Sequence, residues 1–278
     1  MSEAGGRSNL QLRVMSAVVL AVGVLALTWW GGTAFRLFAV ALGGVIFYEW
    51  STLAGDRHSL THRICVWLLV ALPLGTLALG FDAATVFLRI AAAAAAAALL
   101  GAVLREGYGL AVGLAYAAVP AAALAFLRDV GAPGLWALLF LFAAVWATDI
   151  AAYFAGRFFG GPKLAPAISP SKTWSGAIGG AVAAVAAGTI VALLGPASMA
   201  LLVAASTALA LSVVSQAGDL FESAYKRRHG AKDSSRLIPG HGGVMDRVDG
   251  LIAAAVALYV TGAMLAGLDN PSNGLFSG

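Results

Sequence analysis

Residues 132–155 read APGLWALLFLFAAVWATDIAAYFA, 24 positions with a single charge, Asp149. A helix rises about 1.5 Å per residue and a bilayer's hydrocarbon core is about 30 Å thick, so roughly 20 apolar residues cross it and this stretch suffices. Eight further apolar runs flank it, at 14–30, 33–53, 64–80, 84–104, 109–127, 176–194, 197–217 and 248–268. The first two are separated only by Gly31 and Gly32, which leaves one re-entrant hairpin open beside two crossings. Over all 278 residues the apolar set makes up 60% and charged residues 11%, against roughly 25% charged in soluble proteins. Mean hydropathy is +0.89. A soluble domain must cover its surface with polar groups, and this composition lacks them. The expected fold is all-α, a polytopic integral membrane bundle of about nine transmembrane helices. The one cysteine, Cys65, excludes an intrachain disulfide, a CxxC redox pair and a cysteine-rich zinc site.

Lys and Arg are enriched in cytoplasmic loops, so their placement predicts orientation. With the amino terminus cytoplasmic, the inside segments carry Arg7, Arg13, Arg57, Arg63, Arg105, Arg157, Lys163 and Lys172, then Lys226, Arg227, Arg228, Lys232, Arg236 and Arg247. These are 14 of the 17 basic residues, and only Arg128 falls outside, while Arg36 and Arg89 lie within spans. An odd number of crossings then puts the carboxyl terminus outside. The first run lacks a small-x-small cleavage site before a polar region, so an uncleaved helix is expected. The chain divides into amino-terminal helices (1–83), middle helices (84–155) and a carboxyl-terminal region with long polar loops (156–278). Eight consecutive alanines at 91–98 allow close helix packing, against protein within the bundle or at an interface between protomers.

Two inside loops, 156–175 and 218–247, are longer and more polar than the others. The second lies within GDLFESAYKRRHGAKDSSRLIPGHGGVMDRVDG at 218–250. Asp219 and Glu222 are spaced i,i+3, as are Asp246 and Asp249, so each pair shares a helix face. Carboxylates without Cys at a membrane edge suit a hard cation such as Mg²⁺, which binds through one or two carboxylates plus phosphate oxygens. The competing reading makes them ion-pair partners of Lys226, Arg227 and Arg247. The turn Pro239–Gly240–His241–Gly242–Gly243 can aim backbone N–H groups at an anion, or it can be a simple hinge. The nearby cations, Lys226, Arg227, Lys232, Arg236 and Arg247, suit a polyphosphate or anionic headgroups. SPSKTWSG at 169–176 forms a second anion-binding corner, with Ser169, Lys172 and Thr173, or ordinary helix capping. Asp149 is an intramembrane acid, which is costly and usually functional or paired. Arg36, Glu49 and Arg89 read as paired or snorkelling residues without a catalytic role.

The string SAYKRRHGAKDSSRLIPGHGGVMDRVD at 223–249 resembles the signature of the phosphatidate cytidylyltransferases, the CDP-diacylglycerol synthases. GDL at 218–220, Glu222–Ser223 and SPSKT at 169–173 resemble further blocks of that family. Two positions depart from it: Tyr225 stands where an aliphatic residue is usual, and Ser175 where an acid is expected. The resemblance implies transfer of CMP from CTP to phosphatidic acid, giving CDP-diacylglycerol and pyrophosphate. It implies Mg²⁺, with a second cation left open, and as partners CTP, phosphatidic acid, membrane lipids and a second copy of the chain, with no nucleic acid. It also implies the bacterial cytoplasmic (inner) membrane, with the site on the cytoplasmic side. On that reading Asp219, Asp246 and Asp249 hold metal, and Asp219, Lys226, Arg227, Lys232, Asp246 and Arg247 are catalytic. Ser169, Lys172, Thr173, His241, Gly242 and Gly243 then bind substrate. The alternatives are a CTP-dependent polyprenol kinase and, from a different class, an anion transporter.

Overall fold

The computed structural model describes residues 4–55, 58–128, 131–195, 199–238 and 242–276. Among them the order is α1 (Ala4–Trp30), α2 (Gly32–Ala54), α3 (Leu60–Ala78), α4 (Ala83–Val103), α5 (Gly109–Arg128) and α6 (Gly131–Phe159). Then come β1 (Lys163–Ala165), β2 (Ser169–Thr173), α7 (Trp174–Leu194), α8 (Leu201–Arg228), α9 (Met245–Ala266) and the short α10 (Asn273–Phe276). Eight of these helices, α2 to α9, are long and apolar enough to cross a membrane, and α1 contributes the shorter apolar segment Val14–Trp30.

The first two runs are separate helices of 27 and 23 residues that meet at Gly31. Arg128, at the end of α5, is buried beside their junction and donates to the carbonyls of Thr28, Trp29 and Gly131. It thereby satisfies C=O groups that the end of α1 leaves without helical partners. Gly31 sits at φ 69°, and a Cβ there would run into the Arg128 guanidinium. Ser59, Asp82 and Thr173 cap α3, α4 and α7 by accepting backbone N–H bonds from the first turn.

Alanine-rich α5 is the most enclosed span, touching α2, α3, α4, α6 and α9. The alanine run on α4 packs inward through the buried Ala93 and Ala97 and the half-buried Ala94 and Ala98, and Ala91, Ala92, Ala95 and Ala96 are exposed.

Two boundaries differ from the sequence expectation and both shape the site. Residues 218–228, expected in a loop, continue α8 for about three turns. No Gly or Pro interrupts the chain after Gly218, and the Glu222–Lys226 pair at i,i+4 supports the helix until Gly230 at φ 69° ends it. The 156–175 loop contains an antiparallel hairpin, with Lys163 opposite Thr173 and Ala165 opposite Ser169. Pro162, Pro166 and Pro170 exclude helix there. Because α2, α4, α6 and α8 all end at the same side, the turns after them and the hairpin gather at one end of the bundle.

Candidate active site

At the hairpin end, α6, the hairpin, α8 and the start of α9 enclose a pocket of about 820 Å³. Helices α6 and α7 approach backbone to backbone: a Cβ on Gly180 would lie 2.8 Å from the Thr148 carbonyl, and one on Gly176 2.7 Å from that of Ala152. Thr148 donates to Ser212 (2.8 Å) and Gln216 to Ser212 (3.2 Å), a buried polar link from α6 to α8. Gly180→Val should therefore push α6 from α7 and cost about 1–3 kcal/mol, read as a lower melting temperature in detergent with activity falling in parallel.

Small residues also join α8 to α9. A Cβ on Gly218 would meet the Asp249 carbonyl at 2.9 Å, and one on Gly250 the Ser215 carbonyl at 3.0 Å. This contact brings Asp219 and Asp249 to the same pocket, where Asp149 of α6 faces both closely enough for their charges to interact. Asp219 pairs with Lys172 of β2 at 2.5 Å and accepts from Ser223 at 3.3 Å. The two polar segments, far apart in sequence, meet at this pair. Asp149, which the sequence reading left out of the catalytic set, is thus part of the acid cluster. Its signal was the cost of an acid inside an apolar span.

Asp246 lines the same pocket but is engaged on several sides. It accepts from Lys226 Nζ (2.5 Å), Ser234 N–H (2.9 Å) and Gly243 N–H (2.8 Å). Lys226 bridges from there to the fully buried Glu222 at 2.6 Å. Glu49 of α2, also fully buried, accepts from Ser235 (2.5 Å), Ser234 (3.1 Å), Val244 N–H (2.8 Å) and Met245 N–H (2.6 Å). It caps α9 from another part of the chain, a positioning role that no local motif announced.

These bonds correct the expected phosphate nest. Gly243 gives its N–H to Asp246, and Gly242, at φ 87°, forms a bridge with Ile238; neither glycine lines the pocket. The Gly243 N–H is thus taken by the protein's own carboxylate. His241, with Pro239 and Gly240, lies outside the described residues. Arg227 and Lys232 are exposed and outside the pocket lining, as is the half-buried Ser169. Arg227 follows Lys226 by one residue, about 100° around α8, and its side chain turns to the exposed side while Lys226 turns to the cavity. Lys172, Thr173, Lys226 and Arg247 do line it, together with Arg157 and Lys163. Ser175, in place of the expected acid, bonds to Thr173 (3.0 Å) and to the Gly160 carbonyl and so secures the hairpin to α7.

Five acids and five bases thus line one pocket at the end of an apolar bundle, a charge mixture that suits a phosphate compound with a cation. Fold and site define a polytopic integral membrane protein with a large mixed-charge pocket at one end of its bundle. The profile described as "Cytidylyltransferase family" matches residues 11–265, and the chain belongs to that family of nucleotidyltransferases. A protein of Brucella suis named phosphatidate cytidylyltransferase is 51% identical over 275 residues, covering 97% of this chain and 99% of the relative. A protein of the same name from Rickettsia bellii is 29% identical over 261 residues, covering 91% and 90%. A third, from Haemophilus influenzae, is 49% identical over 128 residues, 44% of this chain and 43% of the relative.

Proposed function

We propose that this chain transfers a cytidylyl group from CTP to phosphatidic acid, giving CDP-diacylglycerol and pyrophosphate. One observation carries the reading: the Lys172–Asp219 pair, with Asp149 and Asp249 beside it, in a pocket at the end of a membrane bundle. A phosphate monoester carries about −1.5 to −2 charges at neutral pH and is its own nucleophile. Its oxygen bonds to the α-phosphorus of CTP, the bond from that phosphorus to the α–β bridging oxygen breaks, and pyrophosphate leaves with the electron pair. No enzyme nucleophile is required. Lys172, Arg157, Lys163 and Arg247 offset the repulsion between the two anions and hold them in line.

The acid cluster fits Mg²⁺: Asp149, Asp219 and Asp249 line one pocket and offer hard oxygen donors, and Asp219 already draws an ammonium to 2.5 Å. Asp149, Asp219 and Asp249 would hold the ion, and Asp246 would join them only by releasing Lys226. Bound there, Mg²⁺ supplies charge neutralisation for the triphosphate and the departing pyrophosphate. The Lys and Arg bias supports a cytoplasmic amino terminus and a site facing the cytoplasm at the bacterial inner membrane. The exposed alanine face of α4 supports a homodimer.

Purified protein with CTP, phosphatidic acid and Mg²⁺ should yield CDP-diacylglycerol and pyrophosphate by mass. CDP with a newly phosphorylated lipid would instead identify a kinase, and flux in liposomes without nucleotide turnover a transporter. Lys172→Ala should raise the KM for CTP about tenfold, the loss of one charge-assisted phosphate contact. An unchanged CTP dependence would remove the hairpin from the site.

A further inference from the structure

Four histidines occur in the chain, and His58, His62 and His229 gather at a second place, away from the pocket just described. His58 precedes Ser59, the N-cap of α3, His62 lies in its first turn, and the two rings meet edge to face at 5.1 Å between centroids. Glu106, in the turn between α4 and α5, meets them there. His62 Nδ1 lies 2.8 Å and His58 Nδ1 3.6 Å from the same Glu106 oxygen, Oε2, and one ligand atom from each residue lies within 4.8 Å of the others. Ligand atoms about 2.0–2.1 Å from a tetrahedral Zn²⁺ are separated by about 3.4 Å, a distance these contacts bracket.

Oε2 also accepts the Ser59 N–H at 2.9 Å, so Ser59 and His62 occupy its two lone pairs and His58 Nδ1, at 3.6 Å, stands beyond hydrogen-bond reach of it. Replacing the proton shared between His62 and Glu106 by one cation would engage all three side chains, because each imidazole then presents a lone pair and the carboxylate keeps its charge. An open side exists as well. A pocket of about 220 Å³ borders His58 and Glu106 and is closed across by Tyr225 and His229 of the α8 end. His229 Nδ1 lies 2.9 Å from the Tyr225 carbonyl, which can only accept, so Nδ1 donates and, in the neutral ring, Nε2 presents its lone pair. A backbone carbonyl holding one ring nitrogen while the other is left to a metal is the arrangement usual for histidine ligands.

We propose that His58, His62 and Glu106 form a binding site for a borderline transition-metal dication, Zn²⁺ being the natural occupant, with His229 bordering its open position. Two imidazole nitrogens and one carboxylate favour such an ion over Mg²⁺, which takes oxygen donors and keeps its waters. The site joins the α2–α3 and α4–α5 turns beside the end of α8, whose Tyr225 ring stacks on Trp50 of α2 at 3.6 Å between centroids. Metal binding there would brace the helix that carries Asp219 and Lys226 at its Tyr225–His229 end, outside the substrate pocket.

The full chain, purified in detergent and stripped with chelator, would be titrated with Zn²⁺ and with Co²⁺ without nucleotide or Mg²⁺. One equivalent of Zn²⁺ should remain after gel filtration, raise the melting temperature and displace Co²⁺ showing the intense visible absorption of a low-coordinate nitrogen–oxygen site. His58→Asn and Glu106→Gln should each weaken Zn²⁺ binding at least tenfold, whereas Asp219→Asn, which alters only the substrate pocket, should leave it unchanged. Absence of a retained equivalent and of the cobalt band in the wild-type protein would overturn the site, whatever the folding of the variants. So would Zn²⁺ binding that falls with Asp219→Asn and persists in Glu106→Gln.

Discussion

Asp219→Asn is expected to lower kcat by about a thousandfold, the scale of removing a principal electrostatic element from a transition state. The melting temperature in detergent should stay within a few degrees of wild type. The two expectations have separate physical bases. The Asp219 carboxylate is about one-third exposed and pairs with a partly exposed Lys172, and such a pair contributes little to stability once solvent screening is allowed for. Asn retains the shape and one acceptor for Ser223. It removes the negative charge that meets Lys172 and any divalent cation, where two phosphate-bearing substrates must approach each other. Asp249→Asn should lose activity on the same scale and behave differently in stability. Asp249 is bonded to its neighbour Gly250 N–H and faces the like charges of Asp219 and Asp149, so neutralising it relieves repulsion and the melting temperature should hold or rise. Initial rates of CDP-diacylglycerol formation and a thermal scan on the same preparation decide the matter. Wild-type turnover in either variant would remove the acid cluster from the reaction.

That cluster also marks how far the sequence could be read. Apolar runs made the bundle legible because a lipid solvent imposes length and composition on every span, and α2 to α9 follow that constraint closely. The pairing of the 169–176 and 218–249 segments was legible in outline, since both carry charge and both lie on one side of alternating spans. Which residues of those segments face inward was not. Arg227 is separated from Lys226 only by helical phase, and phase became readable once α8 was seen to continue through residue 228. Glycine turns look alike in sequence whether their N–H groups await a phosphate or serve a carboxylate of the same chain. Gly243 does the latter, because Asp246 three residues later folds back onto it. Asp149 and Glu49 are each single acids in apolar runs, and their chemistry comes from partners on other helices. Spacing along one helix carries no information about such partners.

Glu49 supports the second large prediction. Its carboxylate takes two backbone N–H groups at the start of α9 and two serine hydroxyls of the preceding loop, all at a fully buried position. A carboxylate at a helix amino terminus is also favoured by the helix dipole. Glu49→Ala should leave buried donors without acceptors and cost on the order of 3 kcal/mol, seen as a marked fall in melting temperature. Glu49→Gln separates positioning from stability, since its amide keeps one acceptor for the α9 amides while its NH₂ group confronts a donor. Asp246 and Lys226 depend on the same segment through Ser234 and Gly243. Displacing that segment should therefore lower kcat about a hundredfold in Glu49→Gln, a loss of roughly 2.7 kcal/mol in transition-state stabilisation. The KM for CTP should change far less, because Lys172 and the hairpin remain in place. Measured well below the variant's melting temperature, that split distinguishes a residue that positions the reacting groups from one that only caps a helix. If kcat stays at the wild-type value while the melting temperature falls, Glu49 serves the fold alone.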